Sequence, residues 1–166
     1  MKSITILATL LLTSTLWSAP KDSIPLELEE LDCVLYIDGI QTAGEQPAGL
    51  SMLLNLADAY QTHGIQGTIT AVFDDDATPI ILDDEAYNAQ TKTSSGNPYA
   101  KTVAGLVERG IALAVCGNDL EGKSLTEGNL LPGVKTTSRG ILLVAQLSRQ
   151  GAFTVPTPLP GAQAKD

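Results

Sequence analysis

Short runs that are apolar on every residue constrain this chain more than any other feature. Val34–Ile37 and Ile111–Val115 do not alternate between apolar and polar side chains. A strand with one wet face alternates, so continuous apolarity marks strands covered on both faces. Helical patterns separate these runs. That combination predicts a parallel sheet between layers of helices.

The strands predicted are Cys33–Ile40, Gly67–Phe73, Ile111–Val115, a short one near Val134–Thr136, and a last one in Ala152–Pro156. Pro47 suits the first turn of a helix. Leu50, Leu53, Leu54, Leu56, Ala57 and Tyr60 then follow helical spacing through His63, and Gly64 reads as the stop. Further helices are predicted over 83–90, Tyr99–Arg109 and Gly140–Gln150, with Ser138 as N-cap of the last. The stretch 77–82 reads as a short extended piece. The glycine-containing stretch after Cys116 reads as irregular. The fold class expected is therefore α/β, three-layer, with a mostly parallel five-stranded sheet.

The domain spans 31–156, enough for one packed core. Residues 1–19 hold Lys2 and then the apolar run Ile4–Trp17, which fits an export signal, with a retained N-terminal anchor as the other reading. Residues 20–30 read as a linker, and 157–166 as a disordered tail. The expected location is periplasmic or secreted. The net charge of −9, with no basic run, excludes nucleic acid as a partner.

In open parallel sheets, sites form at the carboxyl ends of the strands. Asp38-Gly39-Ile40, Asp74–Asp76, Cys116-Gly117-Asn118 and Ser138-Arg139 are expected to meet at that edge. Cys33 begins the first strand. A strand of five or six residues is about 17–20 Å long, and a disulfide needs Cα atoms within roughly 7 Å. The two cysteines are thus expected as free thiols at opposite edges. Cys116 has two readings. It is a small packed hydrophobe, or an accessible thiol whose thiolate is favoured by backbone N–H groups and Arg139.

At these residues the chain resembles the DsrE/DsrF-like family of sulfur-relay proteins. The resemblance lies in NPYAKTVAGLVERGIALAVCGNDL, in LLPGVKTTSRGILLVAQLSRQGAFTVP, and upstream in ATPIILDDEAYNAQ, where it is to the exported branch. It covers roughly 31–156. It implies a flavodoxin-like subunit in trimers or hexamers. In the relay members a cysteine after the third strand accepts and passes on sulfur as a persulfide. Cys116 holds the matching position, whereas Cys33 matches no motif. The resemblance implies a sulfur donor or acceptor, a protein or a small sulfur compound, as partner, and calls for no cofactor. Two departures stand out. The relay proteins are cytoplasmic, and many exported relatives carry His-Gly after the second strand where this chain has Asp74-Asp75. A nearby carboxylate opposes thiolate formation.

Other constellations point to structure. His63 is the single histidine, at a helix end. Asp74–Asp76 match no calcium loop, so no metal site is expected. Ser138 lacks a nucleophile elbow, and Gly122-Lys123-Ser124 lacks the earlier glycine of a phosphate loop. The expected function is an exported carrier of sulfur, or a small-ligand binder, using Cys116, with Gly117, Asn118, Ser138 and Arg139 shaping the site. The alternative is a non-catalytic oligomeric binding or assembly module with Cys116 packed.

Overall fold

The computed structural model describes residues 26–43 and 46–156. The expected leader and C-terminal tail lie outside these residues, as does most of the expected linker. Among the described residues no helix is long and apolar enough to cross a membrane.

Among the described residues, seven strands and five α-helices follow in chain order. They are β1 (Cys33–Ile37), β2 (Thr42–Ala43), β3 (Gln46–Pro47), α1 (Ala48–His63), β4 (Ile69–Phe73), α2 (Asp84–Thr91), α3 (Ala100–Glu108), β5 (Ala112–Cys116), α4 (Gly117–Gly122), β6 (Lys135–Thr137), α5 (Gly140–Arg149) and β7 (Phe153–Val155). Five strands form one parallel sheet in the order β6-β5-β4-β1-β7, and β2 and β3 make a small antiparallel ladder. The parallel α/β class is the one the sequence predicts. The last strand, rather than the second, takes the place beyond β1. The order therefore departs from the 2-1-3-4-5 of flavodoxin itself.

That order fixes the layers. From β1 to β4 to β5 the chain steps in one direction across the sheet. From β6 it returns across the sheet to β7. Crossovers between parallel strands are right-handed, so the outward and return connections lie on opposite faces. Leu50, Leu53, Val103 and Leu106 of α1 and α3 pack with Cys33, Leu35, Ile37, Ala71, Phe73, Leu113 and Val115. On the other face Val144 of α5 packs with Val34, Val72 and Ala114. Odd-numbered positions of β1, β4 and β5 thus face α1 and α3, and even-numbered positions face α5, as the two-residue period of a strand requires.

Three local expectations are corrected. Residues 75–81 form a 3-10 helix, not an extended piece, with Asp74 as N-cap accepting from the Asp75 N–H at 2.9 Å. The stretch after Cys116 begins with helix α4. Arg139, not Ser138, is the N-cap of α5, and it makes no side-chain capping bond. A serine before a helical pattern signals a start, but the helix turns one residue later than that signal places it. By contrast, the helix over 83–90 is present as α2. Asp83 caps it by accepting from the Ala86 N–H at 2.7 Å. His63 is exposed in the last turn of α1, and Gly64 follows in the left-handed conformation.

Asn97 ties the long β4–β5 connection together. Its side chain is buried and donates to the carbonyls of Ile80 and Leu82 at 3.0 and 2.6 Å. Its Oδ1 accepts from the Tyr99 N–H at 2.8 Å, which starts α3. Removing the amide leaves these buried partners unpaired. Asn97→Ala is expected to destabilise the domain by about 2–3 kcal/mol, measured as a lowered urea midpoint with an unchanged slope.

Candidate functional site

Strand parity carries Cys116 to the α5 face. It lies two residues beyond Ala114, so it points to the same side of β5. Tyr36 and Asp38 occupy the matching side of β1 and its end, and Asp74 the end of β4. These residues line one cleft of about 460 Å³ at the carboxyl edge, together with Asp75, Asn118, Asp119, Gly122, Arg139, Gly140 and Ile141. Three of the four segments expected at this edge, those at Asp38, Asp74 and Cys116, therefore do meet. The fourth contributes Arg139 and Gly140, but Ser138 is exposed and outside the lining.

Cys116 is the last residue of β5 and the N-cap of α4. It is 6% exposed. The first turn of α5 lies directly over it. A methyl group built on Gly140 would stand 3.3 Å from Cys116 Cβ, 3.3 Å from Asp74 Oδ2 and 2.9 Å from Val72 Cγ1. Only a residue without a side chain lets α5 begin this close to the strand ends. Gly117 serves a similar approach, because its Cβ would lie 3.1 Å from the Thr137 carbonyl oxygen at the end of β6. Gly117 is thus a backbone spacer rather than a lining residue. Asn118 is exposed and lines the cleft, as does Arg139.

The electrostatics oppose one another. α5 presents its N-terminal N–H groups at the cleft, and a helix start favours negative charge. Arg139 adds a cation at the same place. Against these stand Asp38, Asp74, Asp75 and Asp119. Asp119 is committed elsewhere. Lys123 pairs with it at 2.5 Å, and the buried Thr78 hydroxyl donates to its other oxygen. The Tyr36 hydroxyl donates to Asp74 Oδ2 at 2.7 Å. Burial pushes the Tyr36 hydroxyl up from the ordinary phenol range, and the bond to Asp74 pushes it further, so it remains a donor.

Tyr36, Asp74 and Asp119 were not among the residues singled out as shaping the site. The two-residue period was the signal available for Tyr36 and Asp74, since both share parity with Cys116 across adjacent strands. No comparable signal marks Asp119, because the helix that presents it was read as irregular.

Cys33 has the environment of a core residue. It is 1% exposed, its sulfur receives the Tyr60 hydroxyl at 3.5 Å, and burial raises its thiol above the usual range. The register pairs Cys33 with Ile69 and Phe73 with Val115. Five residue levels and two strand spacings then separate the cysteines, roughly 19 Å at ~3.3 Å per residue and ~4.8 Å per strand. Both thiols are free. Among the described residues no group of three or more His, Cys, Asp or Glu is arranged to hold a metal ion.

Two solved structures share this architecture. MTH1491 from Methanobacterium thermoautotrophicum, a protein of unknown function, superposes with a TM-score of 0.59 at 17% identity, over 76% of this chain and 97% of its own. The ychN protein from E. coli superposes with a TM-score of 0.56 at 16% identity, over 77% of this chain and 99% of its own. The fold is DsrE-like. The superposition takes in nearly the whole of each neighbour. No protein-family profile and no curated protein matches the sequence.

The contact of Gly140 with its surroundings is directly testable. Val72 is fully buried and β-branched, so it has no free rotation with which to yield. Gly140→Ala is expected to cost about 1–3 kcal/mol by overpacking, read from thermal unfolding. The same variant is expected to slow alkylation of Cys116 while leaving the far-UV spectrum unchanged.

Proposed function

We propose that this chain is an exported DsrE-like carrier of sulfane sulfur, with Cys116 as the accepting thiol. One observation supports this above the others: Cys116 forms part of the wall of a cleft at the carboxyl edge of a parallel sheet, and its only conceivable disulfide partner lies at the opposite edge. A single thiol suffices for the chemistry. The Cys116 thiolate attacks the outer sulfur of a donor persulfide. A sulfur–sulfur bond forms on Cys116, the donor's sulfur–sulfur bond breaks, and the donor leaves as a thiolate. Delivery to an acceptor thiolate is the same exchange in reverse.

The surrounding groups suit this task. The start of α5 and the Arg139 guanidinium share the cleft wall with Cys116. Asn118 supplies an amide at the mouth, and Gly117 and Ser138 set the backbone on which these groups sit. Export is proposed from Lys2 and the apolar run Ile4–Trp17. Assembly into a homo-oligomer is supported by Leu142 of α5 and by Phe153, both large apolar residues more than half exposed. The partners are a sulfur donor and acceptor, proteins or small sulfur compounds.

The 6% exposure of Cys116 favours a second reading, a binding or assembly module in which the thiol is packed. A mass measurement separates the two. Purified protein treated with a sulfane donor is expected to gain the mass of one sulfur atom. The gain should disappear in Cys116→Ser and persist in Cys33→Ala. No adduct on a fully folded wild-type chain selects the packed reading.

A further inference from the structure

The charge lining the cleft exceeds what sulfur exchange requires. Of its four carboxylates, Asp119 is neutralised by Lys123. Asp74 accepts from Tyr36, a neutral donor that leaves its charge in place. Asp38 and Asp75 are exposed and form no ion pair among the described residues. Arg139 is the one cationic side chain in the lining. It therefore faces three uncompensated carboxylates. The α5 start offsets this only within its first turn, with about half a charge. The chain as a whole carries −9, so the distant field has the same sign. A cleft with low-dielectric walls focuses such a field.

The cavity also has an apolar wall. Ile141 lines it and is 56% exposed. A ligand with a short aliphatic arm and a positive end would satisfy both surfaces. An oxyanion such as thiosulfate would satisfy neither.

We propose that the Cys116 cleft selects sulfur compounds that carry an amine or other organic cation near the reactive sulfur, and repels anionic ones. The inference rests on the reading of Cys116 as a working thiol.

Two methanethiosulfonates of similar size, one bearing a trimethylammonium group and the other a sulfonate, provide the test. The Cys116 thiolate attacks the sulfenyl sulfur, a mixed disulfide forms, and methanesulfinate departs with the electron pair. Each rate is divided by the rate of the same reagent with 2-mercaptoethanol, which removes intrinsic differences, and the labelled cysteine is assigned by peptide mass. The normalised cation-to-anion ratio is expected to be about tenfold or more at low salt. It should fall as salt is raised through the range where the screening length drops to about 10 Å. It should also fall in an Asp38→Asn/Asp75→Asn variant. Asp75 has a φ of 46°, and asparagine adopts that region readily, so the variant retains the backbone. A normalised ratio at or below one overturns the proposal, as does a ratio unchanged by the two substitutions. If neither reagent labels Cys116 until the protein is denatured, the working-thiol reading falls and takes the proposal with it. That result is distinct from equal labelling by both.

Discussion

The return of the chain from β6 across the sheet to β7 governs the rest of the structure. It places α5 alone on one face, opposite α1 and α3. Because crossovers keep one hand, α5 has no other face available once the strand order is set. Its first residue then stands over the ends of β4 and β5, and Gly140 lets it close to contact with Val72 and Cys116. The cleft is the space left at that edge, between the α5 start and the residues of even parity on β1, β4 and β5.

Within this frame the thiol sits among competing influences rather than in a uniformly activating site. A helix start and Arg139 put positive charge in the cleft wall, and Asp38, Asp74 and Asp75 put negative charge there. At the end of β4 the chain has a carboxylate that accepts from Tyr36, so the group beside the thiol there is an acid and not a histidine. Sulfur exchange needs no base once the thiolate is present. In the proposed carrier, the carboxylates therefore bear on which compound approaches the thiol.

Much of this was legible in the sequence. Continuous apolar runs at Val34–Ile37 and Ile111–Val115 announced a sheet covered on both faces, and those strands are present and buried apart from the half-buried Tyr36 and the exposed Ala112. The position of Cys33 at a strand start and Cys116 at a strand end placed them at opposite edges. What remained hidden depended on tertiary context. The 3-10 helix at 75–81 contains Pro79 and two isoleucines, which read locally as extended, and it is held by burial of Ala77, Ile80 and Ile81. α4 starts with a glycine and spans only six residues, too few to show a period. Ser138 looked like a cap because its chemistry suits one, yet packing of Gly140 against the strand ends decides where α5 begins. Tyr36 belongs to an apolar run, and its hydroxyl matters only because Asp74 lies beside it at the end of the neighbouring strand.

Whether the Cys116 sulfur is reached from the cleft in the folded protein separates a working thiol from a packed one. A thiol titration with a small neutral reagent measures this, first under native conditions and then in denaturant. The predicted result is one native-state thiol, assigned to Cys116, with Cys33 reacting only after unfolding. A folded chain in which Cys116 stays unreactive, or in which Cys33 reacts first, would contradict it.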